Sequence, residues 1–330
     1  MAVVKADGYG LGAVNVAKTL NSIGCKRFAV ATADEAVELR TCGVEGEILI
    51  LGYSPPSLER TLVDHDLTQA VVSAEHANAF KDKTLKVQLA IDTGMHRFGV
   101  DARDKKLCGG IIDRLSEKHS LTGLFTHLSC ADDDLSKDIT DSQVGLFESV
   151  CDLAKGKAIE SFHCANSAAG VKGVNVGNVY RLGILLYGLY PSSEFKMPQG
   201  FRSVFSWFSD IVEIKNIRSG ERIGYGNAFS AERDMRVAVV STGYADGLDR
   251  RATGAKVFIN GRAAKIVGKI CMDVFFADVT DIENVAVGDR VEIVGDNVPL
   301  SDLSKRLSTI DYEIVSRIGK RVKRLWLPSV

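Results

Sequence analysis

The sequence has no excess charge of either sign, no long apolar run and no paired cysteine spacing. Each absence closes a class of function. Among 330 residues, 41 basic and 42 acidic side chains nearly cancel to a formal net charge of -1. That leaves no electrostatic footprint for nucleic acid or an anionic membrane. No apolar stretch reaches the roughly 18–20 residues that span a bilayer. The first residues lack a basic stretch followed by an apolar core, so no secretory signal is expected. The seven cysteines (Cys25, Cys42, Cys108, Cys130, Cys151, Cys164 and Cys271) are odd in number and never spaced C-x-x-C. They argue for reduced thiols in a cytosol and against a disulfide frame or a zinc site. Gly8-Tyr9-Gly10-Leu11-Gly12 lacks the spacing and the Lys-Ser/Thr ending of a nucleotide loop. No internal repeat or low-complexity segment is evident. What remains is a chain of ordinary globular composition, expected to be cytoplasmic, with 45% hydrophobic and 25% charged residues.

Residues 1–200 alternate short apolar runs with helical patterns. Strand candidates are Ala2–Lys5, Phe28–Ala31, Ile48–Leu51, Ala70–Ser73, Val87–Asp92, Leu121–His127, Ser161–Asn166 and Tyr180–Tyr187. Between them, Ala13–Ile23 places Ala13, Val16, Ala17 and Leu20 on one face before Gly24, and Thr32-Ala33-Asp34-Glu35 reads as a capping box. Such interleaving predicts a (β/α)8 barrel, with a doubly wound open sheet as the competitor, because periodicity alone does not close a sheet. Ser192–Gly200 reads as a polar connection. Residues 201–330 then read mostly as strands (Ile211–Ile217, Arg236–Ser241, Lys256–Ile259, Ala263–Val267, Val274–Val279 and Arg290–Val294), with Asn260-Gly261 as a hairpin turn. Helical periodicity returns only at Leu300–Leu307 and Ile310–Ile318.

Lys5 is the first residue to ask for an explanation. Desolvating an ammonium at a buried strand end costs several kcal/mol unless it is paired or neutralised. Burial lowers the amine pKa and suits it to Schiff-base chemistry, whereas a lysine that snorkels out of the strand end is the plain alternative. In a parallel barrel the site lies at the C-terminal strand ends. There stand Lys5, Asp7 and Tyr9, then Asp92 and Arg97, Thr126 and His127, His163, Asn166 and Ser167, and Arg181. One histidine at a strand end is usually structural; five such ends are harder to dismiss. Ser167 and Gly183 fall where such barrels commonly hold a phosphate.

The motifs Ala2-Val3-Val4-Lys5-Ala6-Asp7-Gly8-Tyr9-Gly10, Asp92-Thr93-Gly94-Met95-His96-Arg97, Thr126-His127-Leu128 and His163-Cys164-Ala165-Asn166-Ser167 occur in that order. They are followed by Arg181-Leu182-Gly183-Ile184, Ile223-Gly224-Tyr225-Gly226, Gly243-Tyr244-Ala245-Asp246-Gly247 and Gly268-Lys269-Ile270-Cys271-Met272-Asp273. Together they resemble the alanine racemase family over nearly the whole chain. The resemblance implies a pyridoxal 5'-phosphate barrel (1–200) and a C-terminal β domain (201–330), working as a homodimer that interconverts L- and D-alanine for the cell wall. It implies that Lys5 carries the cofactor and is one of two bases, with the partner's Tyr225 as the other. His127 would support the Tyr225 phenolate, and Arg181 would face the pyridine nitrogen, leaving the ring a weaker electron sink. Tyr9, His163, Asn166, Ser167, Gly183, Ile184 and Lys320 would bind the cofactor. Arg97, Met272, Tyr244 and Asp273 would meet the substrate. No metal is implied.

Three positions depart from that pattern. Family members carry a further segment before the lysine motif, and its loss would uncover barrel surface and a β-domain edge. Ala90 stands where many relatives place a carbamylated lysine that braces the equivalent of Arg97. Lys320 replaces a pocket tyrosine, which points to serine or a broader set of amino acids as the alternative substrate. A decarboxylase of the same architecture would face the pyridine nitrogen with a carboxylate, against Arg181. A single-barrel pyridoxal-phosphate carrier would have no purpose for the β domain.

Overall fold

The computed structural model describes residues 1–192 and 195–327. Contacts divide the chain into two compact units, Met1–Leu186 with Glu194–Phe201, and Tyr187–Ser193 with Arg202–Val330. In the first, β1 (Ala2–Val3), β2 (Arg27–Val30), β3 (Glu47–Ile50), β4 (Thr68–Val71), β5 (Lys86–Asp92), β7 (Ser120–Phe125) and β8 (Ser161–His163) form one curled parallel sheet in sequence order, and β6 (Val100–Asp101) pairs with β5. Helices Ala13–Ser22, Ala33–Thr41, Glu59–Asp64, Lys105–Lys118 and Lys137–Cys151 connect the strands. The Thr32 capping box is formed: the hydroxyl accepts from the Glu35 amide and the Glu35 carboxylate accepts in return.

Phe28, Val30, Ile48, Ile50, Val87 and Leu89 share one apolar cluster with the helix residues Ala17, Ala36, Leu39, Ile111 and Ile112. Successive strand side chains point to opposite faces. The alternate residues Arg27, Ala29, Glu47, Leu49, Gln88 and Ala90 therefore face the barrel axis. The outer layer is bulky and apolar, whereas the inner one mixes small and polar residues. That difference leaves room for a polar interior.

The eighth strand expected at Tyr180–Tyr187 is not one. Only Leu182 bridges to Ala2, with the Val3 amide donating to the Leu182 carbonyl (2.7 Å) and the Leu182 amide to the Met1 carbonyl (3.0 Å). The Arg181 amide donates to the Ala165 carbonyl (3.0 Å), so this segment joins the sheet's two ends. Ile184–Tyr187 then winds into a 3-10 turn. An apolar run alone does not separate a strand from such a turn. Likewise β1 stops at Val3, before Lys5, β7 at Phe125, before His127, and β8 at His163, before Asn166.

The second unit is built from β9 (Trp207–Ile217), β12 (Met235–Val240), β13 (Lys256–Ile259), β14 (Arg262–Val267), β15 (Phe275–Asp278) and β16 (Arg290–Val294). They close into an antiparallel barrel in the order β12-β15-β14-β13-β16-β9. Asn260 (φ 45) and Gly261 (φ 81) make the two-residue turn between β13 and β14. Two short strands, β10 (Arg222–Ile223) and β11 (Phe229–Ser230), frame the turn that carries Tyr225. Helices Leu300–Leu307 and Asp311–Ser316 follow. Of the connection Ser192–Gly200, residues 193 and 194 lie outside the described residues. Phe195 is buried in a satellite core with Leu128 and Leu185, so the connection is not wholly polar. Among the described residues no helix is long and apolar enough to cross a membrane.

Phe28 is fully buried between β2 and the helical layer. Truncating it in Phe28→Ala should cost about 3–5 kcal/mol, read from the urea midpoint of the first unit's unfolding.

Candidate active site

Lys5 opens a left-handed turn. Ala6, Asp7, Gly8, Tyr9 and Gly10 all have positive φ (53, 53, 62, 55 and 79°). A left-handed conformation costs an L-residue roughly 1–2 kcal/mol, so the surroundings must hold it. Val4 and Ala6 carbonyls accept from the Gly8 and Gly10 amides (both 2.8 Å), and Asp7 Oδ1 accepts from the Ala13 amide (2.9 Å). Glu35 is the tie to the neighbouring strand: its carboxylate accepts from the amides of Ala6 (2.7 Å), Ala31 (2.7 Å) and Thr32 (3.3 Å). Burial pushes the Lys5 amine pKa down, Arg97 and Arg181 add to this, and Glu35 opposes it.

Arg181 is buried, and its cage is made of carbonyls and neutral rings. Nη1 donates to His163 Nδ1 (2.7 Å) and to the His163 carbonyl (2.8 Å). Nη2 faces the carbonyls of Thr126 (2.6 Å) and Cys164 (3.1 Å) and His127 Nδ1 (3.3 Å). Its Nε–H has no hydrogen-bond acceptor among the described residues. Burial lowers the guanidinium pKa to about 10, so it stays charged at neutral pH. Burial and then the charge of Arg181 depress His127 to about 3 and His163 well below its usual range. Both imidazoles are neutral and present Nδ1 to Arg181 as an acceptor, which leaves each Nε2 protonated.

Tyr9, Asn166, Ser167, Gly183 and Ile184 meet beside this cage. Ser167 Oγ accepts from the Gly183 amide (2.9 Å), and Asn166 Oδ1 caps the turn that starts at Ser167 through the Ala169 amide (3.0 Å). A Cβ on Gly183 would run into the Tyr9 hydroxyl, so a larger residue there would displace the Tyr9 ring. Burial raises the Tyr9 pKa to about 12, which keeps its hydroxyl a donor.

Arg97 lies exposed in the loop after β5, and its charge reaches Lys5, His127 and Arg181. Asp92 shapes that loop by accepting from the amides of Gly94 (2.9 Å) and His96 (3.0 Å). No ion pair holds Arg97 among the described residues, and the nearby axis position on β5 is Ala90, 3% exposed. The first unit thus concentrates the charges of Arg97 and Arg181 around Lys5, and Glu35 opposes them there.

Tyr225, Tyr244, Met272, Asp273 and Lys320 belong to the second unit. Tyr225 is 66% exposed, held between the left-handed Gly224 (φ 73) and Gly226 (φ 69) next to Lys269. The Tyr244 amide donates to the Cys271 carbonyl (3.1 Å) and the Ala245 amide to the Met272 carbonyl (3.0 Å), which sets Tyr244 and Met272 side by side. Arg321 joins Asp246 (2.7 Å) to Asp273 (2.8 Å). Lys320 is exposed in the turn just before it.

A buried lysine of lowered pKa, a caged arginine and a ring of polar strand ends make the first unit a barrel of the enzyme type. Residues 1–191 match the family model described as alanine racemase, N-terminal domain, and residues 204–326 the C-terminal domain. The chain is 36% identical to an alanine racemase of Clostridium novyi over 99% of this chain and 88% of the relative, and 38% identical to one of Helicobacter pylori strain J99 over 99% and 92%. The crystal structure of alanine racemase from E. faecalis superposes with a TM-score of 0.91 at 32% identity, covering 98% of this chain and 89% of that one. One from Bacillus anthracis, solved with bound L-Ala-P, gives 0.90 at 31% identity over 97% and 86%. The chain belongs to the alanine racemase family, and its activity class is that of a racemase, an isomerase.

Glu35 was legible as a helix cap but not as the clamp on the lysine turn; the second role shows only in three dimensions. Unfolded, His127 titrates near its ordinary 6.5, and folded near about 3. The unfolded chain therefore binds more protons between these values, so stability is full above pH 6.5 and falls as the pH drops toward 3. In His127→Gln that acid-side loss should shrink, read as melting temperature against pH.

Proposed function

We propose that the chain racemises L- and D-alanine with pyridoxal 5'-phosphate, using two bases on opposite faces of the substrate and a site completed by a second copy. The observation that carries the reading is the uncommitted Arg181 Nε–H, whose guanidinium adds positive charge to the burial that lowers the Lys5 pKa. The residues fit the cofactor on three counts: an unpaired donor for a ring nitrogen, a glycine-floored cup rimmed by Tyr9 and Ser167 for a phosphate, and an amine of lowered pKa for an aldehyde. When bound, the cofactor withdraws electrons from the α-carbon of the amino acid joined to it.

This chain's own residues would do the rest. Lys5 Nζ exchanges the α-proton on one face, and the Tyr225 hydroxyl of the second copy exchanges it on the other. A phenol near pKa 10 needs help to act as a base. Neutral His127, with Nδ1 turned to Arg181, offers its Nε2–H to the phenolate oxygen. Tyr9, Ser167, Gly183, Ile184 and Lys320 hold the phosphate, with Asn166 keeping the Ser167 turn in place. Arg97 and the Met272 backbone hold the substrate carboxylate, while Tyr244 and Asp273 line the entrance. The exposure of Tyr225 on a glycine-flanked turn supports its service to another copy. A cytoplasmic supply of D-alanine for peptidoglycan is the role that follows.

Polarimetry of the cofactor-loaded protein should show loss of optical rotation from either enantiomer. Lys5→Ala should abolish both turnover and the absorbance of the lysine-bound cofactor. Tyr225→Phe should keep that absorbance yet lose about 100-fold or more in kcat. No turnover of either enantiomer by the native protein would sink the reading. Running L-serine beside L-alanine, before and after Lys320→Tyr, tests whether the exposed lysine broadens the substrate range; an unchanged ratio removes that role.

A further inference from the structure

A line of hydrogen bonds ending in an ion pair crosses the barrel interior. His163 Nε2–H donates to Gln88 Oε1 (2.7 Å), and Gln88 Nε2–H donates to Glu47 Oε1 (2.6 Å). Glu47 Oε2 stands 3.6 Å from Arg27 Nε, its cross-strand partner on β2. Arg27, Glu47 and Gln88 are the axis-facing residues of β2, β3 and β5, and His163 is the last residue of β8. With the Arg181 contact to His163 Nδ1, the line runs Arg181–His163–Gln88–Glu47–Arg27.

The line has one polarity. Arginine only donates, so His163 Nδ1 must accept and its proton sits on Nε2. Nε2–H then requires an acceptor, which turns the Gln88 oxygen toward it and the Gln88 nitrogen toward Glu47. A carboxylate at the far end accepts that last bond. The fold also makes room for the amide. A Cβ on Gly123 of β7 would lie 2.8 Å from Gln88 Cδ and 2.9 Å from the Ser161 carbonyl, so the neighbouring strand is bare where Gln88 passes. Phe125 stacks on His163 at 5.2 Å with an interplanar angle of 4°, and the Arg181 guanidinium lies 5.6 Å from the same ring.

We propose that Gln88 and Glu47 are positioning residues for Arg181: through His163 they fix which way the guanidinium turns its one uncommitted N–H. Neither residue touches the reacting atoms. This rests on the reading of Arg181 as the group that meets the cofactor ring, but the tautomer of His163 can be measured without cofactor or substrate.

The test is an exchange of polarity. In Gln88→Glu, two carboxylates meet where a donor met an acceptor. In the double variant Gln88→Glu/Glu47→Gln, the amide now on β3 donates to the carboxylate now on β5, and every bond regains both partners. Side-chain 15N resonances of His163 in the cofactor-free protein should show one neutral, Nε2-protonated ring in the native chain. They should show loss of that single state in Gln88→Glu and its return in the double variant. In the loaded enzyme, kcat for alanine should fall roughly 10- to 100-fold in Gln88→Glu with KM nearly unchanged, and most of it should return in the double variant. An unchanged 15N pattern and kcat in Gln88→Glu would overturn the proposal. So would a double variant that melts like the native protein and recovers neither. If the native protein shows the single tautomer but racemises nothing, the proposed activity fails while the interior line stands.

Discussion

A cation buried without a counter-ion organises the first unit. Taking a guanidinium out of water costs several kcal/mol, and among the described residues no carboxylate pairs with Arg181 to offset that. Backbone carbonyls from the ends of β7 and β8 and two imidazoles carry the load instead. The cage works only while both rings are neutral, because a protonated ring would set a second positive charge against the first. The depressed pKa values of His127 and His163 are therefore a condition of the fold as well as a consequence of it. The Lys5 pKa is lowered by burial first, and the same positive field adds to this.

Strain is the second constraint. Five consecutive left-handed residues after Lys5 are held by their own backbone bonds and by one carboxylate that also caps the next helix. Glu35 thus joins the placement of the lysine to the stability of a βα unit. A change that loosens either loosens both.

Much of this was legible from residue types. Thr32 and Glu35 announced their cap, Asn260-Gly261 its hairpin, and the alternation of strands and helices the barrel. The polar strand ends pointed to one place, and the structure gathers Lys5, Tyr9, His127, His163, Ser167, Arg181 and Gly183 there. What stayed hidden depends on long-range geometry. Ala6 and Asp7 give no sign of positive φ, since neither type favours it enough to be read. Tyr180–Tyr187 looked like a strand because an apolar run carries no record of its hydrogen-bond partners. Glu47 and Gln88 do interrupt apolar strands, but only the barrel's register shows that their side chains meet. Tyr225, Tyr244, Met272, Asp273 and Lys320 lie in the second unit, and no sequence pattern shows what their side chains would meet.

The closure at Leu182 has a kinetic side. Seven staves of the barrel are strands, and the eighth is a single paired residue, adjacent in sequence to the caged Arg181. A seam closed by one bridged residue and the arginine cage therefore share one segment of chain. A fluctuation that parts Leu182 from Ala2 also unseats the guanidinium, while the apolar layer outside β2, β3 and β5 stays packed. Heat should silence such a barrel before it melts it, and an occupant that grips Arg181 from within would stitch the seam shut.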